Sequence, residues 1–169
     1  MSNMISQSML AEFDMETAST RRVLERVPEA QGAFRPHQKS MSLARLAGHV
    51  AEMPTWAAAT LSHDEFDMPP ADGPTLEAYV LKSTADAVAF FDENLRIARE
   101  LLASATDDTM MRPWSLKDGG TVLMTMPKVA VLRGFVMNHM IHHRAQLLVY
   151  LRMNDVPIPG LYGPSADEQ

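Results

Sequence analysis

The sequence contains no cysteine among its 169 residues. Disulfides, thiolate metal sites and a cysteine nucleophile are therefore excluded, and any thiol chemistry requires a thiol from another molecule. Basic residues are also few, since 15 Lys and Arg stand against 21 Asp and Glu, which gives a net charge of -6 at pH 7. This balance argues against binding to nucleic acid or to an anionic membrane.

Long apolar runs are missing as well. The chain has no run of about 18 apolar residues, and residues 1–20 lack the basic start and apolar stretch of a secretory signal. Together with the absence of cysteine, these features predict a cytoplasmic protein that does not cross a membrane. Because 46% of the residues are hydrophobic, we expect one core and a single domain over residues 1–169.

Helical periodicity dominates the chain and predicts four long helices. Their expected bounds are about residues 3 to 26, Ser42 to just before Ser62, Pro74 to about Ser104, and Pro127 to about Met153. Before the fourth helix, the turn signal KDGG lies between β-prone residues, so this stretch is either a short hairpin or an ordered loop. The pattern predicts an all-α fold, namely a four-helix bundle.

Three of the six histidines lie within five positions of the fourth helix, in MNHMIHHRAQLLVYLR. At about 100° per residue, His139 and His143 share the predicted core stripe, whereas His142 points about 80° away. An i, i+4 pair projects from neighbouring turns and can share one cation. Buried imidazoles carry a donor and an acceptor that need partners, so the pair is either a metal site or hydrogen-bonded structure. Arg144 points away from the stripe and is expected at the surface or bound to the C-terminal tail.

Two metal chemistries are disfavoured by missing glutamates. Met140 occupies the position where an HExxH zinc protease has its glutamate base, and no glutamate stands three residues before a histidine, as di-iron bundles require. A third ligand would have to come from another helix. His49, on the flank of the second helix's apolar stripe, is the candidate, with a water-bonded boundary residue as the alternative. Glu52, three residues later, is either an acceptor for this ring or a solvated carboxylate.

Three segments, HVAEMPTW, NHMIHHRAQL and VPIPGLYGPSADE, resemble the DinB family of damage-inducible, metal-binding bundle proteins. The resemblance implies a four-helix bundle that holds one divalent metal ion through three histidines, which match His49, His139 and His143 here. Imidazole ligands suit zinc or nickel and are compatible with iron or manganese. Gln146, at i+3 from His143, is expected either to hold a ligand ring or to be a polar residue at the bundle edge.

The resemblance also implies a function. Relatives in the family include bacillithiol- and mycothiol-dependent transferases and a mycothiol-dependent maleylpyruvate isomerase, in which a metal activates a low-molecular-weight thiol. We therefore expect a homodimeric, metal-dependent enzyme with a small-molecule substrate, such as a thiol S-transferase in detoxification or stress response. The alternatives are a non-catalytic metal-binding or stress protein and a metal-dependent hydrolase, for which the sequence offers no obvious carboxylate base.

Overall fold

The computed structural model describes residues 2–69 and 78–168, which are mostly helical. The helices are α1 (Met4–Leu24), α2 (Leu43–Ser62), α3 (Thr84–Ser104), α4 (Asp107–Met111), α5 (Lys128–Val131) and α6 (His139–Met153), with a 3-10 turn at Glu29–Gln31. A π-helical segment, Leu132–Asn138, joins α5 to α6, so these three pieces form one last helix. None of the helices described is long and apolar enough to cross a membrane.

A three-stranded sheet accompanies the helices, so the all-α prediction is wrong in this respect. Its strands are β1 (Glu65–Met68), β2 (Pro113–Asp118) and β3 (Thr121–Pro127), in the order β1-β2-β3. The β2–β3 pair is the hairpin that was one of the two predicted alternatives, and Gly119 and Gly120 form its turn at φ 54° and 84°. Those positive φ angles suit glycine, which has no Cβ. The parallel strand β1 was not predicted.

Serine side chains set the starts of α2 and α3. Ser42 accepts a hydrogen bond from the Arg45 amide at 3.2 Å, as predicted for an N-cap, and Ser83 accepts one from the Asp86 amide at 3.0 Å. The predicted start of the third helix at Pro74 is therefore wrong for residues 78–83, which are not helical, while residues 74–77 lie outside the described residues.

Two buried clusters show how α2 and α3 are arranged. Near the start of each helix, Val50 packs in the same cluster as Phe91, and near the end of each helix Leu61 packs with Leu102. The two helices therefore run in the same direction. Of the connection between them, the structure describes residues 63–69, which include β1, and residues 78–83, which lead into α3.

The π-helical segment changes which face of the last helix is buried. An i→i+5 turn holds more residues than an α-helical turn, so the phase predicted at 100° per residue slips across residues 132–138. In α6 the most buried side chains are Met140, Arg144, Leu147 and Leu151, whereas His139 and His143 lie half-buried on the flank. The expectation that these two histidines lie on the core stripe is wrong for this reason.

Arg144 is buried rather than exposed, with 1% of its surface accessible. Its guanidinium donates to Glu16 Oε2 at 2.7 Å and to the Tyr162 hydroxyl at 2.6 Å. Of the two predicted placements, the surface is wrong and the contact with the C-terminal tail is correct. The tail folds back over α1 and α6, where Arg22 also donates to the Gly160 carbonyl at 2.8 Å.

Candidate metal centre

The structure brings His49 on α2 together with His139 and His143 on α6. One ring nitrogen from each lies within 4.8 Å of the others, and the Nε2 atoms of His49 and His139 are 2.9 Å apart. Nitrogens that bind one tetrahedral zinc ion at about 2.0–2.1 Å lie about 3.3 Å from each other, so the cluster has the size of a metal site. Within residues 2–69 and 78–168, no other group of three His, Asp or Glu side chains offers such a site.

Burial favours the neutral form of His139 and His143. Desolvation lowers the pKa of His143 to about 4, against the smaller opposing effect of its bond to Gln146. Desolvation also lowers the pKa of His139, and the neighbouring His49 and His142 add to this by charge repulsion. A metal binds only the unprotonated nitrogen of imidazole. At pH 7, His139 and His143 therefore offer lone pairs without first having to release a proton.

Two neighbouring side chains fix which nitrogen faces the cluster. His49 Nδ1 donates to Glu52 Oε1 at 2.6 Å, and His143 Nδ1 lies 2.7 Å from Gln146 Oε1. Because a carboxylate and an amide oxygen only accept, the proton in each ring sits on Nδ1 and the lone pair on Nε2. Such outer contacts orient ligand rings in metal proteins. For Glu52 and for Gln146, contact with a histidine ring was one of two predicted alternatives, and the structure shows that contact in both cases.

Glu52 is itself held in place. Its Oε1 also accepts from Arg45 at 3.2 Å, and its Oε2 accepts from the backbone amide of Tyr79 at 3.2 Å. Burial raises the pKa of Glu52, but the bond from His49 and the charge of Arg45 outweigh this, and the net shift is downward. Glu52 is therefore an ionised carboxylate with both oxygens engaged.

The roles of Arg45 and Tyr79 were not predicted. Arg45 stands seven residues before Glu52 on α2, and this i, i+7 spacing could have indicated a pair on one helix face. Tyr79 acts through its backbone amide, which carries no side-chain signature. No pattern in the sequence could therefore have identified its contact with Glu52.

Aromatic residues and the remaining histidines complete the surroundings. Trp56 lies beside the cluster, with ring centroids 5.8 Å from His49 and 5.5 Å from His139, and remains 39% exposed. Trp56 is thus partly exposed to solvent beside the cluster, whereas Trp114 is buried at 7% exposure on β2. His142 is exposed, with its ring 4.9 Å from that of His143, and is not one of the three converging rings.

Comparisons with known proteins identify the family and the fold of the chain. The DinB family model matches residues 1–169. The structure is similar to that of a DinB-like protein from Bacillus cereus ATCC 10987, with TM-score 0.71 and 22% identity over 92% of this chain and 97% of that one. It is also similar to a DinB-like protein from Bacillus subtilis, with TM-score 0.66 and 17% identity over 96% of this chain and 99% of that one. No curated protein gives a significant match. The two structures show the shared fold, and the family match over the full length shows that the chain belongs to the DinB family.

Proposed function

We propose that His49, His139 and His143 bind one divalent metal ion and that the protein is a metal-dependent enzyme. The observation that carries the proposal is the convergence of three ring nitrogens within 4.8 Å. The fixed Nδ1 protons of His49 and His143 support it, because they leave Nε2 free to act as a ligand. Zinc or nickel suits this ligand set best, and iron or manganese is also compatible with it.

The proposed reaction is the transfer of a low-molecular-weight thiol to a small electrophile, in detoxification or stress response in the cytoplasm. Three histidine ligands leave coordination positions open, and a divalent ion there would lower the pKa of a thiol. Because the chain has no cysteine, the thiol must be a cosubstrate. His139 and His143 are half-buried and Trp56 is partly exposed, so a small molecule can approach the cluster from the side where Trp56 lies.

The structure gives less support to hydrolysis. A hydrolase of this kind commonly uses a general base, such as a carboxylate, that accepts a proton from the metal-bound water. Glu52 is the carboxylate that contacts the cluster, and its two oxygens are occupied by His49, Arg45 and the Tyr79 amide. We therefore place thiol transfer ahead of hydrolysis. A homodimer remains a prediction, which light scattering after gel filtration would check.

Metal analysis of protein purified from its native host tests the site. We expect one equivalent of metal in the wild type and a loss of that metal in His49→Ala as complete as in His139→Ala or His143→Ala. His142→Ala is the matched control, since it removes an exposed imidazole next to His143 and should keep the metal. Wild-type protein without stoichiometric metal, or equal loss in the control, would contradict the proposal.

Tryptophan fluorescence gives an independent reading of where the metal binds. Nickel in the cluster is expected to quench Trp56, whose ring lies within 5.8 Å of two of the histidines. Trp114→Phe should retain the quenching and Trp56→Phe should lose it. Quenching that survives in Trp56→Phe would place the ion elsewhere.

Turnover is tested with the metal-loaded protein, a panel of low-molecular-weight thiols and a model electrophile. Thiol transfer that requires both the metal and His49 supports the proposed reaction. Chelation distinguishes a non-catalytic protein: a structural ion predicts a large fall in Tm with no activity to lose, whereas a catalytic ion predicts loss of activity with most of the fold retained.

A further inference from the structure

The segment that leads into α3, residues 78–83, lies against the first half of α2, and we name it the crossover segment. The Leu81 amide donates to the Ala44 carbonyl at 3.3 Å, and Arg45 donates to the Tyr79 carbonyl at 3.2 Å. On the other side, the Tyr79 ring stacks on Phe90 of α3 with centroids 4.3 Å apart and planes 3° from parallel. The crossover segment is thus attached to both helices.

Gly48 permits this close approach. A Cβ atom at residue 48 would lie 2.3 Å from the Tyr79 carbonyl oxygen and 3.0 Å from its carbon. No side chain fits in that space without moving the backbone of the crossover segment. The residue in this close contact with the crossover segment is therefore the one directly before His49.

Glu52 joins the crossover segment to the metal centre through one carboxylate. Its Oε1 accepts from His49 Nδ1 at 2.6 Å, and its Oε2 accepts from the Tyr79 amide at 3.2 Å. The side chain is 14% exposed, so water competes little for either oxygen. If the carboxylate turns to improve its hydrogen bond with His49, its hydrogen bond with the Tyr79 amide must change as well, and the reverse also holds.

We propose that Glu52 is a positioning residue that couples metal binding at the three-histidine cluster to docking of the crossover segment on α2. The inference rests on the proposed function, because His49 must act as a ligand. When His49 gives its Nε2 lone pair to a cation, its Nδ1 proton becomes a stronger donor and holds Glu52 more firmly. Glu52 then holds the Tyr79 amide, and by thermodynamic reciprocity a docked crossover segment raises the affinity for the metal.

The variant Glu52→Gln separates the two contacts. His49 Nδ1 and the Tyr79 amide each donate an N–H to a different oxygen of the carboxylate, whereas an amide has one accepting oxygen and one donating nitrogen, so Gln can replace only one of these two acceptors. We expect the Kd for zinc to rise about 10- to 100-fold. Zinc should slow amide hydrogen exchange of residues 78–83 in the wild type and should have no such effect in Glu52→Gln.

Gln146→Ala is the matched control. Gln146 also orients a histidine ring, that of His143, but it lies on α6. Within the described residues, it makes no hydrogen bond to the crossover segment. Zinc affinity should fall in this variant as well. The zinc-dependent slowing of exchange at residues 78–83 should nevertheless persist once zinc is saturating.

Gly48→Ala tests the coupling in the reverse direction. It keeps Glu52 and the three histidines but pushes on the Tyr79 carbonyl. We expect faster exchange of residues 78–83 and a Kd for zinc about 10-fold higher. Circular dichroism melts would confirm that each variant is folded before its zinc affinity is compared.

The outcomes distinguish the coupling from the metal site itself. A wild-type protein that binds no zinc overturns the metal site and the coupling with it. A wild-type protein that binds zinc through the histidines but shows the same exchange at residues 78–83 with and without zinc overturns only the coupling. Unchanged zinc affinity in both Glu52→Gln and Gly48→Ala overturns it too.

Discussion

His143 and Arg144 are adjacent on α6 and illustrate two different uses of a polar side chain in a helical core. Arg144 is 1% exposed, and its guanidinium donates to the Glu16 carboxylate, the Thr20 hydroxyl and the Tyr162 hydroxyl. His143 is half-buried, with one nitrogen at Gln146 and the other facing two histidines. Hydrogen bonds within the protein satisfy the Arg144 guanidinium, whereas the second ring nitrogen of His143 is left for a ligand from outside the chain.

The difference follows from what burial costs. A buried charge is tolerated when a partner and hydrogen bonds compensate for its desolvation, and its removal leaves that partner uncompensated. A neutral imidazole with an unused lone pair costs less to bury and gains most when a cation arrives. We therefore expect the Arg144 region to determine folding stability and the histidine cluster to determine metal affinity. The following substitutions test this division, beginning with the largest expected effect.

Arg144→Ala should lower the free energy of unfolding by about 3–5 kcal/mol, because Glu16 is left buried without its cation. Urea denaturation measures this loss. Arg133→Ala is the control, since it breaks an ion pair with Glu12 in which the side chains are 46% and 33% exposed. Such exposed pairs contribute about 1 kcal/mol or less. Equal losses of unfolding free energy in the two variants would show that the buried Arg144–Glu16 pair stabilises the fold no more than an exposed pair does.

His143→Ala should give the opposite pattern. Loss of an outer contact to a ligand costs about 10- to 100-fold in metal affinity, so loss of a ligand itself should cost more than about 100-fold. The metal-free protein should lose no more than about 1 kcal/mol of stability, because one hydrogen bond to Gln146 disappears. Zinc titration and urea denaturation of the same sample measure both. A large loss of stability with unchanged zinc affinity would assign His143 a structural role.

Tyr162→Phe should have an intermediate effect on stability. The hydroxyl donates to Glu16 and accepts from Arg144, and its loss should cost about 1–2 kcal/mol. Zinc affinity should be unchanged, because Tyr162 has no contact with the histidines. A variant as stable as the wild type would indicate that the tail contributes nothing to the buried pair.

Gln146→Ala should have the smallest effect, about a 10-fold rise in the Kd for zinc with stability unchanged. Gln146→Glu, which keeps an accepting oxygen at the same position, should restore the affinity. Isothermal titration calorimetry measures both variants. If neither variant differs from the wild type, Gln146 does not hold the His143 ring.

Much of the architecture could be predicted from the sequence because it depends on local periodicity and capping. The bounds of α1 and α2 lie within about two residues of those predicted, and Ser42 caps α2 as expected. The start of α3 could not be predicted in the same way. Tyr79 and Val80 continue a helical spacing, but the Tyr79 and Leu81 amides bond to α2 instead of to their own segment.

The site was predicted in part. Spacing identified His139 and His143 as a pair, and the place of His49 on the second helix made it the candidate third ligand, which the family resemblance supported. The fold brings its Nε2 atom to 2.9 Å from that of His139. The buried Glu16–Arg144 pair could not be found, since it joins residues 128 positions apart and each is a residue type usually exposed. The phase of the last helix also could not be predicted, because nothing in its composition marks residues 132–138 as π-helical.

The π-helical segment makes the last helix sensitive to length. Leu132, Val136 and Met137 belong to one buried cluster, and Met140 and Leu147 belong to the other, so the segment adjusts one continuous helix to two cores. Deleting one residue from the segment would restore α-helical register and rotate one half relative to the other by about 100°. Either one core would lose its packing or His139 and His143 would turn away from α2. Insertions and deletions at residues 132–138 should therefore be far less tolerated than conservative substitutions there.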